Sequence, residues 1–208
     1  MDSMASTPIT HVFFDVGGVL GTNGWDRHER AKAVQRFALD AEDFERRHEE
    51  VVGTFEAGHM TLDEYLAVTV FGEKRPFSRE EFTAFMLEQS QPFPHSIQVA
   101  RELAAAGRHT LMTLNNESAE LNQHRLKSFG LVPLFTAFFS SCWVGAVKPS
   151  RRIYEVARDM SQADPARSVF IDDRPQNLAP AAAMGMRTIL FKDAAQLRRD
   201  LAALGVGA

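Results

Sequence analysis

The 208-residue chain holds a single cysteine, Cys142, so no internal disulfide can brace the fold, and a reducing compartment suits it. No stretch approaches the ~18 apolar residues that a membrane-crossing helix needs. Residues 1–10, MDSMASTPIT, show no basic segment followed by an apolar one, so no signal peptide is read there. Lys and Arg number 23 against 27 Asp and Glu, a net charge of -4 that leaves no basic face for nucleic acid. Repeats and low-complexity stretches are missing. The seven histidines (His11, His28, His48, His59, His95, His109, His124) show no paired metal-ligand spacing and read as structural or solvent-exposed. What these absences leave is a cytoplasmic globular protein with no membrane or nucleic-acid partner, long enough for one domain plus an insertion.

What is present divides into two kinds of pattern. From residue 95 onward helices alternate with short apolar runs. HSIQVARELAAAG reads as a helix, HTLMTL (109–114) as a strand, and a helix with Leu121, Leu126 and Phe129 follows. TAFFSS (136–141), SVFIDD (168–173) and RTILF (187–191) read as further strands, with helices between them and at the end. One of those helices, after Pro149, is expected to present Ile153, Val156 and Met160 to the core. With residues 11–15 as the first strand, the alternation predicts a five-stranded parallel sheet, doubly wound and covered on both faces. Residues 22–92 break this pattern with four helical segments. Asp40 caps one, and TLDE (61–64) and SREE (78–81) fit the capping-box spacing. Phe37, Phe44, Phe55, Phe71, Phe77, Phe82 and Phe85 give this stretch apolar bulk of its own. The charge run EDFERRHEE (42–50) reads as a solvated helix face.

The informative stretch is HVFFDVGGVL (11–20), where a buried strand delivers a carboxylate, Asp15, into a Gly17-Gly18 turn. A buried carboxylate is costly unless something pairs with it. In an open parallel sheet, ligands sit beyond the carboxyl ends of the strands. The other strand ends supply Asn115 and Asn116, Lys148, and then Asp172, Asp173 and Asn177. Together they leave room for a divalent cation and a phosphoryl group. Asn177 also reads as the cap of the next helix, with Pro180 in its first turn.

These residues carry a resemblance. FFDVGGVL, LNN, VKPSRRIY and VFIDDRPQNLAPAAAMGM, in this order, resemble the four motifs of the haloacid dehalogenase-like hydrolase superfamily. FEAGHMTLDEYL (55–66) is similar to a recurrent stretch of the helical cap in the subgroup whose cap follows the first motif. The resemblance implies a Rossmann-like core at residues 1–21 and 93–208 and a helical cap at residues 22–92. It implies a Mg²⁺-dependent phosphoric monoester hydrolase acting on a small phosphorylated metabolite, as monomer or homodimer. Asp15 is then the nucleophile that becomes an aspartyl-phosphate, and Lys148 neutralises it and the phosphate. Asn115 and Asn116 contact phosphate oxygens. The metal site comprises Asp15, the Gly17 carbonyl, Asp172 and Asp173, with Asp173 expected to touch the ion directly.

Gly17 departs from the pattern. Phosphatases of this family usually carry there a second aspartate, which protonates the leaving group and later activates water. Asp26 or His28, at the cap entrance, are candidate substitutes. Two other readings follow from the same position. The family's dehalogenases lack that aspartate too, but they need no Mg²⁺ and their fourth motif is not doubly acidic, unlike IDDRPQN. A non-catalytic protein that binds a phosphorylated ligand is the other. No motif reads the substrate.

Overall fold

The structure, a computed structural model, describes residues 7–207; residues 1–6 of the stretch read as leaderless lie outside it. Five parallel strands form one sheet in the order β3-β2-β1-β4-β5. They are β1 (His11–Phe14), β2 (Thr110–Asn115), β3 (Ala137–Ser140), β4 (Ser168–Asp172) and β5 (Arg187–Leu190). β1 is central, with Phe14 in register with Thr113 of β2 and Ile171 of β4. The winding reverses beside it, so its carboxyl end opens on the crevice where such sheets bind ligands.

Both faces of the sheet are covered, which is why the strands read as continuous apolar runs. Val12, Phe14, Leu111, Val169 and Ile171 face one core with α5 (Pro94–Ala106) and α10 (Ala194–Ala203). Phe13, Met112, Leu114 and Phe170 face the other, with α8 (Arg151–Ser161) and α9 (Pro175–Ala183). α8 meets that core through Ile153, Tyr154 and Ala157, whereas Met160 is 74% exposed. The expected Ile153–Val156–Met160 stripe is thus turned by one position. Tyr154 sets the angle, since its buried hydroxyl donates to the Asn177 carbonyl at 2.6 Å.

Between β1 and α5 lie α1 (Arg27–Phe37), α2 (Ala41–Glu56), α3 (Leu62–Thr69) and α4 (Arg79–Glu88). Thr61 and Glu64 form a complete capping box, and Ser78 and Asp40 each accept a first-turn N–H. Their apolar faces meet in a separate cluster built on Phe37, Phe44, Phe55, Phe82 and Phe85, joined by Leu121 of α6 (Ala119–Ser128). Trp25 packs edge-on against Phe44 and Phe82 there, and its indole N–H donates to the Tyr65 hydroxyl at 2.9 Å. The chain enters and leaves this stretch side by side: Thr22 N–H donates to the Gln91 carbonyl and Phe93 N–H to the Leu20 carbonyl, both at 2.8 Å. Among the described residues no helix is long and apolar enough to cross a membrane.

Candidate active site

Asp15 continues the β1 ladder by one residue, donating its N–H to the Ile171 carbonyl at 2.9 Å. Its carboxylate, in a residue only 6% exposed, accepts from Val16 N–H at 2.7 Å and lies 2.9 Å from the Lys148 ammonium. Burial pushes this carboxyl above the usual range, against the pull of Lys148. Lys148 Nζ also reaches Asp172 Oδ2 at 2.6 Å, so one buried cation bridges the ends of β1 and β4. The partner that the isolated carboxylate demands is this lysine.

Asp172 and Asp173 divide their work. Asp172, fully buried, accepts from Lys148, from Arg174 N–H at 2.8 Å and from the Asn177 amide at 3.1 and 3.2 Å. The helix after β4 begins at Pro175, with Arg174 at its N-cap, so Asn177 is not the cap and Pro180 lies inside the helix. The reason is local: Asp172 already receives the N–H at the helix start, and Asn177 turns inward to it. Asp173 Oδ1, by contrast, is buried with no hydrogen-bond partner. Oxygens of Asp15, Asp172 and Asp173 all lie within 4.8 Å of one another. Burial and the Asp172 charge push Asp173 upward. An orphaned buried oxygen beside two further carboxylates fits a hard divalent cation, which prefers oxygen ligands and would offset that repulsion. Among the described residues no hydrogen bond goes to the Gly17 carbonyl.

The two asparagines separate. Asn116 lines the cavity beside Lys148 and holds that lysine's backbone from both sides, accepting its N–H at 2.7 Å and donating to its carbonyl at 2.9 Å. Asn115 is turned into the protein instead. Its amide donates to Asn122 at 3.1 Å and accepts from Ser140 at 3.0 Å, so its side chain is already committed.

Above the strand ends lies a cavity of about 370 Å³. Asp15, Gly17, Asn116 and Lys148 line its floor, and Trp25, His48, Phe55 and Glu56 come from the helical stretch. His48 and Glu45 show that the 42–50 run is not a solvated face throughout. His48 is buried against the Tyr65 hydroxyl at 2.8 Å, and burial and Arg30 push it down to about 4, so it is neutral. Glu45 takes Arg30 in a forked ion pair. Asp26 also lines the cavity, but one of its oxygens accepts Arg27 N–H and the other pairs with Arg174 at 2.7 Å. His28 lines a different, more open cleft, with Gly18 and Asp173.

Three residues here were not singled out by sequence reasoning. Arg125, 1% exposed, donates to Ser90 Oγ at 3.1 Å and the Thr22 carbonyl at 3.0 Å, and lies 3.4 Å from Glu117. Glu117 is itself buried, and burial raises its pKa. Glu56 ends α2, and burial and the Glu117 charge push it up to about 7. Only Glu56 carried a sequence signal, inside FEAGHMTLDEYL. Cys142 is as inert as a lone cysteine suggests, with burial pushing its thiol up to about 12.

The model of the haloacid dehalogenase-like hydrolases matches residues 9–185. The chain is 28% identical over 207 residues to the bifunctional epoxide hydrolase 2 of Sus scrofa, covering 90% of this chain and only 37% of that enzyme. It is 27% identical over 223 residues to a phosphatase of Mycobacterium tuberculosis, covering 95% of each. A HAD family enzyme from Bacteroides thetaiotaomicron, solved with magnesium and inorganic phosphate, superposes with a TM-score of 0.73 at 19% identity, over 88% of this chain and 94% of its own. That last likeness speaks to the fold alone. The family match spans β1 to β4 and the helices inserted after β1, and with it this chain belongs to the haloacid dehalogenase-like hydrolases.

Proposed function

We propose that the protein is a Mg²⁺-dependent phosphatase of small phosphorylated metabolites, working through an aspartyl-phosphate on Asp15. The observation that carries this reading is the buried Lys148 ammonium held between Asp15 and Asp172 at 2.9 and 2.6 Å. A lysine so placed offsets part of the cost of ionising the buried Asp15, aims it, and offers positive charge to a phosphoryl group arriving beside it. Asp15 attacks phosphorus, the leaving oxygen departs, and water later releases phosphate, so one difficult displacement becomes two easier ones. Asp15, Asp173 and the Gly17 carbonyl would hold Mg²⁺, with Asp172 aligning Lys148. The ion, when bound, neutralises charge on the transferring group. Residues 22–92 act as the cap, which closes over the leaving group and sets its identity. The relative that is a phosphatase and the fold neighbour solved with magnesium and phosphate support the reading. The same trio of carboxylates argues against halide displacement, which needs no cation.

Acyl, aryl and sugar phosphates offered to the purified protein with Mg²⁺ test it. Release of phosphate, stopped by a strong chelator and abolished in a folded Asp15→Asn variant, is the expected result. Undiminished turnover with chelator, or by Asp15→Asn free of contaminating phosphatase, overturns it.

A further inference from the structure

We infer that Glu56 is the general acid and base of this site, taking the part that Gly17 leaves vacant. The inference rests on the phosphatase reading and assigns it a residue outside the four strand-end motifs.

Elimination narrows the candidates first. Asp26 lines the cavity, but both of its oxygens are committed, to Arg27 N–H and to Arg174. His28 faces another cleft. A Cβ on Gly17 would lie 3.1 Å from the Asn23 amide oxygen, which has no proton to give, and 3.4 Å from the Arg125 guanidinium, but an arginine keeps its protons. His48 is neutral and spends one ring nitrogen on Tyr65. Glu117 is buried against Arg125 and receives Ser118 N–H at 3.0 Å. Glu56 alone among the acids lining the cavity makes no hydrogen bond or ion pair through its carboxyl group, among the described residues.

Its position is fixed by the core although it belongs to α2. The Ser141 hydroxyl donates to the Glu56 carbonyl at 2.6 Å and accepts Glu117 N–H at 2.9 Å, so one side chain ties the end of α2 to the segment after β2. Two residues on, Gly58 lies so close to Cys142 that a Cβ would come within 2.0 Å of its carbonyl oxygen. A proton donor needs this registration to the nucleophile across two parts of the fold. The charges facing Glu56 are Glu117 after β2, Arg174 after β4, Asp26 before α1 and Lys148 after β3. Burial and the two acids outweigh the two cations and hold its pKa up at about 7, near the optimum for a group that must both give and take a proton.

In the first step an Asp15 oxygen bonds to phosphorus and the phosphorus–alkoxide bond breaks. The electron pair goes to the departing oxygen, which takes the Glu56 proton and leaves as alcohol. In the second step water bonds to phosphorus and gives its proton to the Glu56 carboxylate. The bond to Asp15 breaks with its electrons returning to that carboxylate. Inorganic phosphate leaves, and the enzyme is restored.

The test compares Glu56→Gln with the natural protein on an alkyl phosphate, an aryl phosphate and acetyl phosphate, all with Mg²⁺. For Glu56→Gln we expect kcat/KM on the alkyl phosphate to fall by about 10²-fold or more, and on the aryl phosphate by less than about 5-fold. In the natural protein kcat/KM for the alkyl phosphate should decline as pH rises through about 7, where the protonated acid is lost, and this limb should vanish in the variant. Glu56→Asp, which keeps the proton but shortens its reach, should lie between them, and it decides the matter if Glu56→Gln melts abnormally. Equal losses on both esters, or an unchanged alkaline limb, overturn the assignment to Glu56. Acetyl phosphate needs no acid, so failure of the natural protein to form a phosphorylated Asp15 from it overturns the phosphatase reading itself.

Discussion

Neighbouring glycines in the turn after β1 have different reasons to be glycine. Gly18 has φ +76° and backs onto Asp173 so closely that a Cβ would lie 2.2 Å from Oδ2. Gly17 has an ordinary backbone, and a Cβ there would meet Asn23 Oδ1 at 3.1 Å, a contact that a small shift relieves. Gly18→Ala should therefore destabilise the fold by about 1–3 kcal/mol and weaken Mg²⁺ binding, because the methyl displaces the carboxylate with the orphaned oxygen. Gly17→Ala should leave both within error of the natural protein. Urea denaturation and a Mg²⁺ titration of each variant check this, and equal damage from both would mean that the turn, not Asp173, sets the requirement. At this scale the sequence was legible wherever a strand end carried charge. Asp15, Lys148, Asp172 and Asp173 all lie where the alternation of strands and helices puts them. Asn115 was not, because nothing in LNN says which amide meets Ser140 and Asn122 rather than the cavity. Glu56 was hidden for a related reason: its environment is made by Glu117 and Ser141, far away in sequence.

At the scale of elements, α6 is held to the helical stretch by Leu121, by Glu120, which accepts Leu62 N–H at 2.9 Å, and by Arg125. Arg125 reaches the Thr22 carbonyl and Ser90, on the segments by which the chain enters and leaves that stretch, and Glu117 is the carboxylate that balances it. Removing one member of a buried pair leaves the other uncompensated, at a cost of about 3–5 kcal/mol. Arg125→Met should lose stability of that order in urea denaturation, and adding Glu117→Gln should recover part of it. Should the double variant be no more stable than the single, Arg125 acts through its hydrogen bonds to Thr22 and Ser90 and not through charge. None of this is visible in a helix that reads as Leu121, Leu126 and Phe129 on one face. The helices themselves were legible, since Thr61, Ser78 and Asp40 each accept a first-turn N–H as their spacing implies. The four-residue α7 (Ser141–Val144) was not, being too short to show a period.

For the molecule as a whole, a cation that binds the folded state and not the unfolded chain raises stability by mass action. At a Mg²⁺ concentration of about 100 times Kd the gain is about 2.7 kcal/mol, which for a protein of this size is a rise in Tm of about 5–10 °C. Differential scanning calorimetry with Mg²⁺ and with chelator should show that rise in the natural protein and lose it in Asp173→Ala. A shift of equal size in the variant would place the ion elsewhere. This readout needs no substrate, so it separates the metal site from the activity. The parallel sheet and the interruption after its first strand were both readable from the change of hydrophobic period near residues 22 and 92. The substrate was not, because the cavity wall joins one face of α2, with His48, Phe55 and Glu56, to Trp25, and helical spacing alone does not tell a cavity face from a core face.

The paired crossing at Leu20–Thr22 and Gln91–Phe93 has a consequence for descent. The chain leaves the sheet and returns to it at one place, tied by two backbone hydrogen bonds of 2.8 Å. Closing a longer or shorter excursion between fixed ends changes its entropy only with the logarithm of its length. A lineage can therefore lengthen, trim or rewrite residues 23–88 while the five strands keep their order. New specificities can be tried in that cassette as the reactive carboxylates are inherited untouched. One contact sets the limit on this freedom: any replacement must still present an acid at the place where Ser141 grips the end of α2.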